Sequence, residues 1–192
     1  MPVETNARFS HRILRWFDAN ARTLPWRNPP GDALPAHDIS WPYRVWLSEV
    51  MLQQTTIASA TAYFERFVAR WPTVQALAEE QDDQILSAWA GLGYYARARN
   101  LIACARTVAN DHDGQFPEDE EVLRTLPGIG QYTAAAIASI AFGKRAVVVD
   151  GNVERVLARH QAVETPMPTA KPLLYQLASA LTPNTRAGDY AQ

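Results

Sequence analysis

The sequence predicts an all-α chain on three observations. Apolar residues recur at three- and four-residue steps through most of its length, prolines and glycines punctuate those runs, and only Ala146 to Val149 reads as extended. The first run puts Phe9, Ile13 and Phe17 on one helical stripe. Asn28 to Pro42 follows without periodicity, rich in Pro, Gly and Asp, and reads as an exposed loop. Periodicity resumes with Val45, Trp46, Glu49, Val50 and Gln53, then with Tyr63, Phe64, Phe67, Val68 and Trp71, where Pro72 ends it. Later runs are interrupted by the Gly91-Leu92-Gly93 kink, by Pro117 and by Pro127, and Gly143 is placed to cap a helix C-terminus. A last stripe of Val153, Val156, Leu157 and His160 begins after Asp150. No internal repeat stands out.

With 192 residues, 47% of them hydrophobic, and no low-complexity tract, the chain can bury a sizeable core. Its amino terminus carries Arg8, Arg12 and Arg15 at helical spacing but lacks the apolar block of a signal peptide or membrane span, so a cytoplasmic protein without membrane contact is expected. Cys104 is the only cysteine, which excludes an internal disulfide or a multi-cysteine metal site within these residues; a buried, small apolar role is expected for it. The net charge of −2 counts against a nucleic-acid partner, because phosphate attraction normally dominates such affinity. Distribution weakens that objection. Asp113 to Glu121 is acidic, whereas Arg97, Arg99, Lys144, Arg145, Arg155 and Arg159 form a prospective local basic face.

The strongest chemical signal is Leu126-Pro127-Gly128-Ile129-Gly130-Gln131-Tyr132-Thr133, a hairpin with two glycines feeding a small-residue helix. Glycine lets backbone N–H groups approach a phosphate, and the positive end of the following helix adds to the attraction. Two carboxyl groups flank this hairpin in sequence. Glu49 lies among Val45, Trp46, Leu47, Val50, Met51 and Leu52, where burial would raise its pKa and keep a proton available near neutrality; the alternative is a solvated glutamate on a polar helix face. Asp150 precedes Gly151-Asn152 and a helical run, so it is either a helix N-cap or a catalytic carboxylate.

Five blocks together carry a resemblance: Leu24-Pro25-Trp26-Arg27, Trp46 to Thr55, Trp89 to Leu101, Leu126 to Thr133, and Asp150 to Leu157. In this order they resemble the helix-hairpin-helix base-excision glycosylases, and within them the MutY-type adenine DNA glycosylases. The resemblance implies a six-helix lobe over residues 38–148, and an incomplete second lobe discontinuous over residues 1–37 and 149–192, with duplex DNA and an extruded base held between them. Carried onto matching positions, it makes Glu49 the acid that protonates the leaving adenine and Asp150 the stabiliser of positive charge at the sugar. Tyr132 and Asn152 would assist them. The chemistry parallels glycoside hydrolysis, with two carboxyl groups serving opposite needs. Gln54 and Tyr94 would enter the base stack, the hairpin residues Leu126, Gly128, Ile129, Gly130 and Thr133 would grip DNA, and Trp26, Arg27 and Leu52 would contribute to the adenine pocket.

One position bears on the reaction type. Endonuclease III-type relatives carry a lysine nucleophile where this chain has Tyr132, and the only lysines here are Lys144 and Lys171, outside the hairpin. The resemblance therefore implies a monomeric, monofunctional glycosylase acting on adenine opposite 8-oxoguanine or guanine. Alternatives are an endonuclease III-like glycosylase for another base, a helix-hairpin-helix DNA-binding fragment without chemistry, or an inert truncated product. The sequence departs from the family in its longer Pro-rich connection before Tyr43. The family also continues, after the match to Gly188-Asp189-Tyr190-Ala191-Gln192, into four cysteines that ligate a [4Fe-4S] cluster and a domain that reads 8-oxoguanine. The expectation is a truncated form that ligates no cofactor itself.

Overall fold

The computed structural model describes residues 6–35 and 38–192. Among them eleven helices follow in order: α1 (Asn6–Asn20), α2 (Trp41–Leu52), α3 (Ile57–Arg70), α4 (Val74–Glu79), α5 (Asp82–Trp89), α6 (Tyr95–Asp111), α7 (Glu120–Leu123), α8 (Gln131–Phe142), α9 (Gly151–His160), α10 (Lys171–Leu181) and α11 (Ala187–Ala191). No described residue lies in a strand, and no helix is long and apolar enough to cross a membrane. Local chemistry sets several boundaries. Thr56 caps α3 by accepting from the Ser59 amide, Thr73 caps α4 through the Ala76 amide, and Asp119 caps α7. Gly143 ends α8 at φ 66°, where the Gly143 and Lys144 amides donate to the carbonyls of Ser139 and Ala138 at 3.0 Å.

Two hydrophobic cores organise these helices. The larger gathers Trp46, Met51, Phe64, Phe67, Trp89 and Ile137 with neighbours from α2 to α8; the smaller is formed by Leu157, Ala170, Leu174, Ala178 and Leu181, against which Phe9 of α1 packs. The connector between α8 and α9 explains why Ala146 to Val149 reads as extended. Ala146 and Val148 face the larger core while Val147 and Val149 face the smaller, the alternation that only an extended backbone provides. This segment joins the two cores and delivers Asp150 to the boundary.

Helix α8 is buried almost throughout, and its alanines let neighbours approach closely. Gly188 of α11 lies on it so tightly that a Cβ there would sit 2.5 Å from the Ser139 carbonyl oxygen. The loop before α2 is tied down by the same helix, since the Gly31 amide donates to Asp189 at 3.1 Å. Trp26, expected with the second lobe, is instead part of the larger core, edge-on to Phe64 at 5.1 Å. The expected burial of Cys104 is observed.

Candidate active site

Glu49 sits near the C-terminal end of α2, which packs against α8 and so faces Tyr132 in the first turn of that helix. Burial of the Glu49 carboxyl, opposed by a hydrogen bond with Tyr132 and reinforced by the nearby charge of Asp150, pushes its pKa up to about 7. Tyr132 is 37% exposed, yet burial of its hydroxyl, with the Glu49 charge beside it, raises the phenol far above its usual range. The phenol is therefore a donor and Glu49 the acceptor. These three side chains come from α2, the hairpin helix and the connector, far apart in sequence.

Asp150 fills the capping role that its sequence context predicted. Its Oδ1 accepts from the amides of Asn152 at 2.9 Å and Val153 at 2.8 Å, and its Oδ2 accepts from Asn152 Nδ2 at 2.9 Å. Asn152 is in turn held by Arg155 at 3.1 Å. Three donors thus fix the carboxylate's orientation close enough to Glu49 for its charge to be felt there.

In the hairpin the Ile129 amide donates to the Leu126 carbonyl at 3.1 Å, and Gly128 takes φ 75°. A Cβ on Gly128 would stand 2.7 Å from the Asn100 Cβ of α6, so this glycine is required by the packing beneath the hairpin. Gly130 faces open space and supplies α8 with no side-chain cap. The first amides of α8 are left without intrahelical partners, which suits them to an anion. Leu126, Ile129 and Thr133 are buried side chains, so these expected DNA contacts can be made only through the main chain.

Gln54 and Tyr94 both protrude from loops, the first exposed and the second 65% exposed. Each adopts left-handed backbone, φ 56° and φ 48°, which non-glycine residues occupy only when their surroundings impose it. The three residues expected at the adenine pocket are placed separately by their contacts. Trp26 is a core side chain, Leu52 is half-buried against the same core, and Arg27 turns to Gln192, donating to its Oε1 at 2.9 Å and its carbonyl at 3.2 Å. A cavity of about 600 Å³ instead opens beside Tyr132, lined by Gln131, Val149, Glu154, Lys171 and Tyr175 among others.

Of the prospective basic face, five of six residues are exposed and Arg97 is not. Among the exposed residues, Lys144 pairs with Glu118 at 2.7 Å, Arg145 donates to the Ser179 carbonyl at 2.6 Å, and Arg155 holds Asn152. Arg97 is half-buried and bound to main-chain carbonyls. Nothing local marks its partners near Gln53, 44 or more residues earlier.

Residues 47–183 match the model of the HhH-GPD superfamily of base excision DNA repair proteins. The chain belongs to this superfamily. It is 44% identical over 187 residues to the human adenine DNA glycosylase, covering 96% of this chain and 34% of that protein. The adenine DNA glycosylase of Mycobacterium tuberculosis is 44% identical over 147 residues, which is 77% of this chain and 45% of that protein. Thus the chain spans between about a third and a half of the length of these curated relatives. Among solved structures, a thermostable thymine-DNA glycosylase superposes with a TM-score of 0.81 at 28% identity, covering 97% of this chain and 82% of that one. An endonuclease III bound non-covalently to DNA gives 0.72 at 20% identity over 98% and 82% of the respective chains, a likeness of fold. These 192 residues contain one cysteine, too few for the four thiolates of the [4Fe-4S] cluster that the resemblance implies. That cysteine is buried in the larger core, and among the described residues no cluster of His, Cys, Asp and Glu is placed to hold a metal ion.

Proposed function

We propose that this chain is the catalytic portion of an adenine DNA glycosylase, hydrolysing the N-glycosidic bond of adenine mispaired with 8-oxoguanine or guanine in duplex DNA. The observation that carries this reading is the meeting of three side chains: Glu49 of α2, the Tyr132 phenol of α8 that donates to it, and the capped Asp150 carboxylate, in surroundings that push the Glu49 carboxyl up to about 7. A group poised near neutrality can protonate the adenine leaving group and then, as the carboxylate, orient or deprotonate the attacking water. Tyr132 steadies that carboxylate as the proton leaves. Asp150, held by its three donors, supplies the negative charge that an oxocarbenium-like sugar needs, and it is already oriented when that charge develops. A phosphate-binding module without chemistry has no use for this pair. The identities to adenine DNA glycosylases support the choice of base, and the absence of a hairpin lysine supports hydrolysis without a covalent amine intermediate.

The test is single-turnover base release from three duplexes, containing 8-oxoguanine·adenine, guanine·adenine and guanine·thymine, by the 192-residue chain and by its Glu49→Gln variant, with duplex binding measured in parallel. Adenine release from the first two, a loss of at least about 1,000-fold in the variant, and binding kept within about threefold are expected. Thymine release would redirect the base assignment. Full activity in the variant would remove Glu49 from the acid role, and strong borohydride trapping by the parent chain would overturn the monofunctional reading.

A further inference from the structure

Arg97, in the first turn of α6, occupies a position that phosphate binding does not explain. Its Nη1 donates to the carbonyls of Val50 at 3.1 Å and Met51 at 3.4 Å and also to that of Gln53, three of the last four carbonyls before Gln54. Its Nη2 donates to the carbonyls of Leu92 at 3.0 Å and Gly93 at 3.4 Å, immediately before Tyr94. The guanidinium lies over the rings of Trp89 and Tyr94, 5.5 Å and 5.6 Å from their centroids. One planar cation is therefore bound simultaneously to the chain leading into both left-handed, protruding residues.

Energetically this is a poor device for stability alone. The cation is partly buried, its partners here are carbonyls and rings with no carboxylate among them, and its Nε is buried without a hydrogen-bond partner. Burying a charge on such terms is costly, and an apolar side chain would fill the space at less expense. What an apolar side chain cannot do is bond the unpaired carbonyls that end α2 and the Leu92 carbonyl with one rigid fork, fixing the distance between the two loops; the neighbouring Gly93 carbonyl also accepts from Trp89 Nε1 at 3.0 Å. A lysine ammonium is a single point and cannot span both sets.

We infer that Arg97 is a positioning residue for nucleotide extrusion, holding Gln54 and Tyr94 at one separation so that they enter the base stack as a unit. The inference rests on the proposed role of those two residues in displacing the target nucleotide. Extrusion opposes stacking and pairing, so side chains that wedge a duplex must not splay apart when the bases push back. A bridge between the loops resists that motion. Its contribution belongs to the extrusion step and is unnecessary once a base is already unstacked.

The experiment compares the parent chain with Arg97→Lys and Arg97→Met on two substrates: a fully paired duplex with 8-oxoguanine opposite adenine, and the same duplex with the target adenine in an unpaired bulge. Fluorescence of 2-aminopurine at the target position reads extrusion, single-turnover release reads chemistry, and helical circular dichroism establishes the folded fraction to which rates are normalised. Both variants are expected to lose about 30-fold in release and most of the fluorescence rise on the paired substrate, but less than about fivefold on the bulged one. Equal losses on the two substrates would show that Arg97 merely supports the fold or the chemistry. No loss on the paired substrate would also overturn the inference. Gln54→Ala and Tyr94→Ala are measured alongside: if neither lowers the fluorescence rise, the underlying role of those residues fails, whereas a drop in these two without one in the Arg97 variants refutes the coupling alone.

Discussion

Replacing Glu49 by Gln should remove the acid and at the same time stabilise the folded chain at alkaline pH. Burial raises the carboxyl pKa from 4.5 to about 7, so between those values the folded state keeps a proton that the unfolded chain has released. Raising the pH through this window therefore destabilises the fold: the stability present below pH 4.5 is lost as Glu49 is forced to ionise, and the loss is complete above about 7. A difference of about 2.5 units at 1.36 kcal/mol each amounts to about 3 kcal/mol above pH 7. At pH 5 the same linkage yields only about 1 kcal/mol. Glutamine, which does not titrate, escapes this term but pays about 1 kcal/mol for an imperfectly paired amide. That amide cost is the same at every pH and cancels in the comparison. Urea unfolding of parent and variant should accordingly show the variant's advantage growing by about 2 kcal/mol between pH 5 and pH 8, a shift of about 1 M in midpoint. A stability difference that does not change between the two pH values, or one that moves against the variant, would refute the buried-acid reasoning.

Tyr132→Phe deletes the donor that opposes the burial of Glu49, so the alkaline limb of the kcat/KM profile for adenine release should move up by about one pH unit; an unmoved limb would detach Tyr132 from the acid. The two hairpin glycines should separate in a paired test of stability and duplex affinity. Gly128→Ala, strained at φ 75° and only 2.7 Å from the Asn100 Cβ, should lose about 2 kcal/mol in urea unfolding. Gly130→Ala, which faces open space, should stay within about 0.5 kcal/mol yet bind an undamaged duplex less tightly, and unchanged affinity would argue against phosphate approach at that turn.

What was legible in the sequence was what short-range chemistry controls. The stripe around Glu49 predicted a helix with that carboxyl among apolar neighbours, Asp150 had the context of a cap, and Gly143 that of a helix end; each depends on residues only a few positions away. Long-range contacts leave no such mark. The partner of Arg27 is Gln192, 165 residues away, and that of the Trp26 ring is Phe64 on α3. The withdrawal of Arg97 from the surface is equally invisible, because its carbonyl partners near Gln53 lie 44 or more residues earlier. The left-handed backbone at Gln54 and Tyr94 has no signature in residues of those types, since tertiary contacts impose it.

The cap and catalytic readings of Asp150 stood as alternatives in the sequence, but the geometry makes them compatible. A carboxylate has about four lone-pair positions, and the cap occupies three of them: two on Oδ1 and one on Oδ2. One position on Oδ2 is left for a developing positive charge. The capping bonds also anchor the group to the first turn of α9, so it need not reorganise as charge develops at the sugar. Its placement follows from the connector, whose alternating valines are held by two cores at once. Glu49 is placed just as indirectly, through the packing of α2 on α8, the helix that the hairpin initiates and that carries Tyr132. The hairpin therefore has two geometric consequences: it leaves free amides at the start of α8, and it sets the phenol against the acid. Any shift of α8 that spoiled one would spoil the other, so the proposed phosphate grip and the proposed proton transfer would depend on a single helix terminus.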